Sequence, residues 1–321
     1  MAIKEIKPQE LDAERFIKDK VKEISDTVAG DTAINALSGG VDSSTVTMLA
    51  HKALRAKLIT YFIDNGLMRK DEPQEIVSIF ANLGVPVELI EAKEEFFAAL
   101  AGITDPEEKR EAITQTFYRK IFGRLVKESG AKYLFQGTIL TDIDETVAGI
   151  KRQHNVFAQL GIDPQQEFGY KIIEPLLQLR KDGVRIVAET LGLPEKIYNR
   201  PPFPGPALAA RIIGAVTPEK IELVRQATVI MEEELDSFNA FQNMAILHDD
   251  RVTGMRNGKR EFGKVIQVRS WKSVDARTAA PMEIPFETLL RLGERIPDEV
   301  PGVVCVTYNI TSKPPSTMEA I

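Results

Sequence analysis

Hydrophobic and polar residues alternate between two kinds of pattern along the first half of the chain. Short apolar runs of strand length occur at residues 33–37, 58–63, 85–90 and 132–136. Between them lie longer segments whose apolar residues recur every three or four positions, which is the spacing of an amphipathic helix. Because the two patterns alternate, we expect a doubly wound parallel sheet with helices on both of its faces.

Capping residues and glycines mark the ends of the predicted helices. A helix is predicted over residues 11–29, and another over 181–191. A long helix begins after Asp105, with a proline in its first turn and a glutamate at its third position, and runs to about residue 129. Residues 146–170 show no clear period, which is typical of a lid or another irregular loop.

The proline-rich segment at residues 200–206 cannot lie inside a helix or a central strand. We therefore place a domain boundary here, between a first domain of residues 1–200 and a second of residues 201–321. The second domain has fewer helices and several apolar runs, which predicts a smaller α+β domain. Its predicted helices cover residues 217–235 and 286–295, and its predicted strands cover 242–247, 265–271 and 303–310.

Composition excludes several classes of protein. The chain has 321 residues, 43% of them hydrophobic, and a net charge of −6, which argues against a mainly electrostatic nucleic-acid binder. We find no signal peptide and no apolar run of about 18 residues, so we expect a cytoplasmic protein without a membrane partner. The single cysteine, Cys305, excludes an intrachain disulfide and a cysteine-based metal site, and the three histidines are widely spaced.

Residues 37–44 carry the most specific chemistry, reading Leu-Ser-Gly-Gly-Val-Asp-Ser-Ser between a predicted strand and a predicted helix. The glycines let the backbone approach an anion, the serines add hydroxyl donors, and the helix start adds a positive dipole end. This is neither the Walker loop, which has a lysine, nor the dinucleotide fingerprint. Asp42 makes sense here if a divalent cation lies between its carboxylate and the phosphates.

A simpler interpretation remains open, in which these residues form a Ser/Gly turn and Asp42 is the helix N-cap. Two other polar clusters also follow predicted strands, at residues 64–66 and at 136–138, the second with Asp142 and Glu145 shortly after it. Ligands of parallel sheets bind beyond the carboxyl ends of the strands. We therefore expect the three clusters to lie at the same edge.

The strand followed by Ser-Gly-Gly-Val-Asp-Ser-Ser resembles the pyrophosphate-binding loop of the N-type ATP pyrophosphatases, or PP-loop enzymes. These cleave ATP between the α- and β-phosphates and adenylylate an oxygen of an acceptor. Nearly the whole chain is similar to the ATP pyrophosphatase part of the GMP synthases, which have an adenine nucleotide alpha hydrolase-like fold. The stretches that match in order are residues 62–66, 104–110, 136–138, Asp142 with Glu145, Lys151 with 154–155, 203–206, and 313–315 with Thr317 and Glu319.

The resemblance implies site residues at the matching positions. ATP and pyrophosphate would be bound by Ser38, Gly39, Gly40, Val41, Asp42, Ser43, Ser44, Ile63 and Gly137. Asp42 would hold Mg²⁺ and would be catalytic together with Lys151 and His154, which would close over the phosphates. The acceptor would be bound by Asp142, Glu145, Arg200, Gln242, Lys313, Met318 and Glu319.

The resemblance also implies a reaction and partners. The chain would be a ligase that forms a C–N bond: ATP adenylylates the C2 oxygen of XMP, and ammonia then displaces AMP to give GMP. A separate glutamine amidotransferase subunit would supply the ammonia. The second domain would also be the dimerisation module of a homodimer.

The chain departs from the family pattern mainly where the acceptor should bind. Gln115, Gln153, Ala207 and Cys305 stand where the family has a basic residue, a histidine, a glycine and an arginine. Arg277 could replace the lost arginine or could be an ordinary surface charge. Two alternatives therefore stay open: a paralogue that adenylylates a different acceptor, and a nucleotide-binding regulatory protein that has lost catalysis.

Overall fold

The computed structural model describes residues 3–147, 170–201, 203–274 and 276–320, with the backbone alone for residues 145–147. The chain divides into two compact units. The first unit comprises residues 1–64, 73–91 and 117–200, and the second comprises residues 65–72, 92–116 and 201–321. Two segments from the first half of the chain thus belong to the second unit. The division into domains at residue 200 stays a prediction.

The first unit contains a five-stranded parallel sheet with the strand order β3-β2-β1-β4-β5. This confirms the predicted parallel sheet. The strands are β1 (Ala33–Ala36), β2 (Leu58–Asp64), β3 (Glu88–Glu91), β4 (Tyr133–Phe135) and β5 (Lys171–Ile173). The sequence did not predict β5, because a strand of three residues is too short to show an alternating pattern.

Helices accompany the strands of this unit. They are α1 (Ala13–Val28), α2 (Val41–Leu54), α3 (Glu72–Asn82), α6 (Gly123–Ser129), α7 (Leu140–Val147), α8 (Lys181–Thr190) and α9 (Glu195–Tyr198). Helix α1 begins two residues after the predicted start, where the side chain of the N-cap Asp12 accepts a hydrogen bond from the backbone N–H of Arg15. Helices α1, α2 and α8 pack against one another.

Strand order explains where a ligand would bind in the first unit. From β1 the chain continues to β2 and β3 on one side, and then returns to β4 and β5 on the other side. The carboxyl ends of β1 and β4 therefore flank the point where the strand order reverses, which is the usual ligand crevice of such sheets. Residues 37–44 follow β1, and Gly137 follows β4.

The predicted long helix after Asp105 is not one regular helix. It consists of α5 (Pro106–Gln115), a π-helical stretch (Thr116–Phe122) and α6. The N-cap is Asp105, as predicted, and its carboxylate accepts hydrogen bonds from the N–H groups of Glu107 and Glu108. The π-helical turn is a change of backbone hydrogen bonding that side-chain periodicity does not reveal.

The second unit contains a four-stranded mixed sheet in which β7 pairs antiparallel with β6 and β8, and parallel with β9. The strands are β6 (Gln242–Arg256), β7 (Lys259–Lys272), β8 (Ala280–Pro281) and β9 (Val303–Tyr308). The helices are α4 (Lys93–Leu100), α5, α10 (Pro218–Leu235) and α11 (Phe286–Glu299). This agrees with the predicted α+β character.

Strands β6 and β7 are far longer than the predicted segments at 242–247 and 265–271. They continue into a hairpin that turns at Asn257 and Gly258, whose φ angles are +51° and +71°. Asn-Gly with two positive φ angles is the preferred two-residue turn of a β-hairpin. The Asn-Gly dipeptide therefore signals a hairpin in the sequence, although the polar residues around it form no apolar run that would predict longer strands.

Candidate functional site

Residues 37–40 form a short loop between β1 and α2, residues 41–44 form the first turn of α2, and the side chain of Ser43 ties the loop to this turn. The Ser43 hydroxyl accepts a hydrogen bond from the backbone N–H of Ser38 at 3.2 Å and donates one to the Gly40 carbonyl at 3.1 Å. It also lies 2.9 Å from the Ser38 hydroxyl. Two of the three predicted serine ligands, Ser38 and Ser43, are thus brought together.

The first turn of α2 offers backbone donors. Gly40 is the N-cap, and the first intrahelical hydrogen bond runs from the Ser44 N–H to the Gly40 carbonyl at 3.0 Å. The N–H groups that precede Ser44 in this turn have no intrahelical acceptor, and the helix dipole is positive here. This is an anion-binding arrangement.

Gly39 has a conformation that the loop requires. Its φ is +77°, and a Cβ atom there would lie 3.0 Å from the Ile76 side chain and 3.2 Å from Arg200 Nη1. Arg200 also donates a hydrogen bond to the Gly39 carbonyl at 3.2 Å. Arg200, which lies outside residues 37–44, therefore holds the loop in place, although we expected it to bind the acceptor.

Asp42 lies in the first turn of α2, with its two carboxylate oxygens in different environments. Oδ2 accepts a hydrogen bond from Lys181 Nζ at 2.6 Å. Oδ1 is buried and has no hydrogen-bond partner among the described residues. The carboxylate does not cap the helix, because Gly40 is the N-cap, so the simpler interpretation of Asp42 is wrong.

The unpartnered oxygen of Asp42 fits a divalent cation, which prefers carboxylate ligands. No group of three or more His, Cys, Asp and Glu side chains that could hold a metal occurs in the described ranges. A cation at Asp42 would accept phosphate oxygens and water as further ligands. This is the chemistry expected of magnesium bound together with a nucleotide.

A buried chain of hydrogen bonds ties the first turn of α2 to the sheet. Thr60 on β2 donates to Asn35 on β1 at 2.7 Å, and Asn35 donates to Thr47 of α2 at 2.6 Å. Thr47 in turn donates to the Ser43 carbonyl at 2.7 Å. These residues were not predicted, because a polar side chain inside an apolar run gives no sign of its partner.

The remaining predicted ATP residues lie close to the loop in sequence or in space. Gly137 faces the start of α2, where a Cβ atom would lie 3.1 Å from both Asp42 C and Ser43 N. Val41, Ser44 and Ile63 are buried, and the Ser44 hydroxyl has no partner within the part of the chain that the structure describes. Contact of these three side chains with ATP stays a prediction.

Other predicted residues of the first unit are only partly described. Asp142 accepts a hydrogen bond from the Ile139 N–H at 3.0 Å, at the start of α7. Only the backbone of Glu145 is described. The predicted catalytic residues Lys151 and His154 lie outside the described residues, as does Gln153.

The second unit brings together several of the predicted acceptor residues. Gln242 Nε2 donates to Glu319 Oε1 at 2.8 Å. Met318 is 7% exposed and belongs to the hydrophobic core with Met244 and Trp271. Lys313 Nζ donates to the Ala276 carbonyl at 2.8 Å.

Arg211 is the most unusual residue of this group, and sequence reasoning missed it. Its side chain is fully buried, and its guanidinium nitrogens have no hydrogen-bond partner among the residues described. Arg211 Nε lies 3.9 Å from Glu319 Oε2, and the guanidinium carbon lies 5.0 Å from the centre of the Phe203 ring. Burial lowers the pKa of Arg211 to about 10.

The C-terminal segment that carries Met318 and Glu319 is held by Arg269 of β7. Arg269 Nη1 donates to the carbonyls of Thr317, Met318 and Glu319 at 3.0, 3.2 and 3.3 Å. Burial lowers the pKa of Arg269. Arg269 therefore fixes the backbone of the segment. The Glu319 side chain interacts instead with Gln242 and Arg211.

The departures from the family pattern occupy different environments. Ala207 has a φ of +53° and is buried, which explains why the family has a glycine at this position. Gln115 contacts Glu111 at 3.4 Å on the exposed side of α5. Cys305 is half-buried on β9, opposite Val265.

None of the helices in the described ranges is long and apolar enough to cross a membrane.

Two family models match separate parts of the chain. The model described as NAD synthase matches residues 11–120, and the model described as GMP synthase C terminal domain matches residues 229–320.

Curated relatives match almost the whole chain. A protein of Archaeoglobus fulgidus, named as one subunit of GMP synthase [glutamine-hydrolyzing], is 50% identical over 309 residues, covering 96% of this chain and 99% of the relative. Proteins of the same name from Pyrococcus furiosus and Methanocaldococcus jannaschii are 47% and 43% identical, covering 95% and 96% of this chain and 97% and 99% of their own lengths. The chain therefore belongs to the family of these GMP synthase subunits.

Proposed function

We propose that the chain catalyses the ATP-dependent amination of XMP to GMP. ATP adenylylates the C2 oxygen of XMP and releases pyrophosphate, and ammonia then displaces AMP. The observation that carries the proposal is Asp42, whose carboxylate stands at a helix N-terminus with one buried oxygen that has no partner among the described residues. The family and the names of the relatives give the same reaction class.

The residues of the loop bind and orient the pyrophosphate part of ATP. The free N–H groups of the first turn of α2 and the hydroxyls of Ser38 and Ser43 donate to phosphate oxygens. When bound, Mg²⁺ would be held by Asp42 and would neutralise charge on the departing pyrophosphate. The protein does little covalent work in this step, because positioning and charge stabilisation suffice. We assign the closure over the phosphates to Lys151 and His154.

The acceptor residues divide between hydrogen-bonding groups and charges. Gln242 and Glu319, already hydrogen-bonded to each other, offer an amide and a carboxylate to the nucleotide. We assign Lys313 to the XMP phosphate and place Met318 beside the bound nucleotide. Asp142, Glu145 and Arg200 complete the predicted set.

We further propose that ammonia comes from a separate glutamine amidotransferase subunit, as the bracketed part of the relatives' name suggests for those proteins. The second unit would form a homodimer. The complex would act in the cytoplasm.

The test measures AMP formation from ATP, Mg²⁺ and ammonia, with and without XMP. We expect AMP and GMP in equal amounts, and AMP formation only when XMP is present. Asp42→Asn should lower the rate at least about a hundredfold, because preorganised charge stabilisation contributes that much in comparable sites. Asp31→Asn is the matched control, since Asp31 pairs with Lys132 before β1 and should keep the full rate.

Two results would contradict the proposal. Turnover with another acceptor but not with XMP would favour a paralogue. Tight ATP binding without AMP formation for any acceptor would favour a regulatory protein.

A further inference from the structure

The hydrogen bonds within residues 37–44 cannot all persist when pyrophosphate binds. The Ser43 hydroxyl donates to the Gly40 carbonyl, and it lies 2.9 Å from the Ser38 hydroxyl. A serine has a single O–H donor, so a hydroxyl that donates to a phosphate oxygen must release its present acceptor. The position of the first turn of α2 then depends on contacts that the ligand does not take over.

The buried chain of hydrogen bonds that ends at the Ser43 carbonyl provides such contacts. Thr60 donates to Asn35 at 2.7 Å, Asn35 donates to Thr47 at 2.6 Å, and Thr47 donates to the Ser43 carbonyl at 2.7 Å. Asn35, Thr47 and Thr60 are at most 3% exposed, so neither water nor a ligand competes for these bonds. Each hydroxyl donates its one proton in the same direction, towards Ser43.

The chain reaches the segment from both of its ends. Asn35 lies on β1, three residues before Ser38, and Thr47 lies on α2, four residues after Ser43. The bond between Asn35 and Thr47 therefore joins the strand that enters the segment to the helix that leaves it. Asn35 is also the register partner of Thr60, so the link continues to β2. Through Thr47, the sheet fixes the orientation of Ser43 and of the turn that carries it.

We propose that Asn35 and Thr47 are positioning residues for pyrophosphate binding. Their hydrogen bond holds the first turn of α2 in its anion-binding geometry while the serine hydroxyls exchange their present acceptors for phosphate oxygens. Neither side chain touches the ligand. This inference rests on the proposed function, because it assumes that residues 37–44 bind pyrophosphate.

Thr45 offers a matched control on the same helix. It is fully buried and donates to the carbonyl four residues before it, that of Val41, at 2.7 Å. Thr47 makes the same kind of local bond to Ser43 and accepts in addition from Asn35. Each valine substitution removes one buried hydroxyl from α2, and only Thr47→Val also removes the link to β1.

The experiment titrates inorganic pyrophosphate in the presence of Mg²⁺ by isothermal titration calorimetry. We expect Thr47→Val to raise the Kd of pyrophosphate about tenfold, the effect of one lost hydrogen bond at the upper end of its usual range. Thr45→Val should stay within about twofold of the unmodified chain. Thr47→Ser keeps the hydroxyl and should also stay within about twofold. Thermal unfolding shows which variants are folded at the temperature of the titration.

A double-mutant cycle tests whether Asn35 and Thr47 act through the bond between them. Asn35→Ala should raise the Kd about tenfold as well. The double variant Asn35→Ala with Thr47→Val should also show a rise of about tenfold and not of a hundredfold, because both substitutions remove the same bond. If Asn35→Ala does not fold, the comparison of Thr47→Val with Thr47→Ser and Thr45→Val still decides.

Three outcomes would overturn the inference and leave the proposed function standing. Unchanged pyrophosphate binding in Thr47→Val, with a lowered Tm, would assign the chain to stability alone. Equal weakening in Thr45→Val and Thr47→Val would assign the effect to the local helical bonds. Additive losses in the cycle would show that Asn35 and Thr47 act separately. If the unmodified chain itself binds no pyrophosphate, the proposed function fails and the inference fails with it.

Discussion

Replacing Gly137 by alanine tests whether the start of α2 must stay where it is for ATP to bind. The added Cβ atom would lie 3.1 Å from Asp42 C, 3.1 Å from Ser43 N and 3.2 Å from Asp42 Cβ. All three atoms belong to the turn that we assign to pyrophosphate, and two of them are backbone atoms that cannot rotate away. Gly137 itself does not have a positive φ, so the substitution acts through this contact.

The magnitude follows from the distances. Ordinary contacts of a Cβ atom lie at 3.4 Å or more, so the turn must move by about 0.3 Å. Overpacking of this kind costs about 1–3 kcal/mol, and we expect the lower end because the displacement is small. If about 1 kcal/mol of that cost appears in binding, the affinity for ATP falls about fivefold.

The assay measures the Kd of ATP, the KM values of ATP and XMP, and the Tm. Gly137→Ala should raise the Kd and KM of ATP about fivefold, leave the KM of XMP unchanged, and lower the Tm by about 2–4 °C. Gly293→Ala is the control, because its added Cβ would have no described atom within 4 Å apart from its chain neighbours and the backbone of its own helix. Gly293 lies inside α11, so alanine there should stabilise the chain by about 0.5–1 kcal/mol.

Two results would refute a role of this contact in ATP binding. Gly137→Ala could bind ATP as tightly as the unmodified chain while its Tm falls, and the strain would then have relaxed into β4 and not into α2. A rise in the KM of XMP alone would show that Gly137 serves the acceptor.

The remaining predictions concern buried charges of the second unit. Burial lowers the pKa of Lys109 to about 8, so the unfolded chain binds more protons than the folded one between about pH 8 and pH 10.5. The free energy of unfolding should therefore rise with pH in this window, by up to about 3 kcal/mol, and Lys109→Met should abolish the rise in urea titrations. Arg211→Met should raise the KM of XMP at least about tenfold and leave the Kd of ATP unchanged, because Glu319 loses its cation. Arg291→Met, which replaces an exposed arginine, should change neither value, and equal losses for ATP and XMP would contradict a specific role of Arg211.

Much of the fold was predictable because its signals are local. The apolar runs of β1, β2, β3 and β4 and the helical spacing between them are properties of contiguous residues. The pyrophosphate loop is local as well, since its strand, its glycines and its helix start lie within about 20 consecutive residues. Hydrogen bonds between Ser38 and Ser43 need no distant part of the chain.

Other elements of the fold could not be predicted from local sequence patterns. Strand β5 is too short for a period, and the π-helical turn after α5 alters backbone bonding without altering the side-chain pattern. The hairpin of β6 and β7 extends through polar residues, which pair through their backbones and need no apolar face.

The sequence by itself predicted the parallel sheet and the α+β character of the second unit, and it indicated the anion-binding residue types of 37–44. Only the tertiary structure decided that Lys181 holds Asp42 and that Arg211 is buried beside Glu319. Both pairs join residues more than a hundred positions apart. A charged residue looks the same in the sequence whether its side chain faces water or a partner. Only tertiary packing decides which distant group the side chain contacts and how much of its hydration it loses.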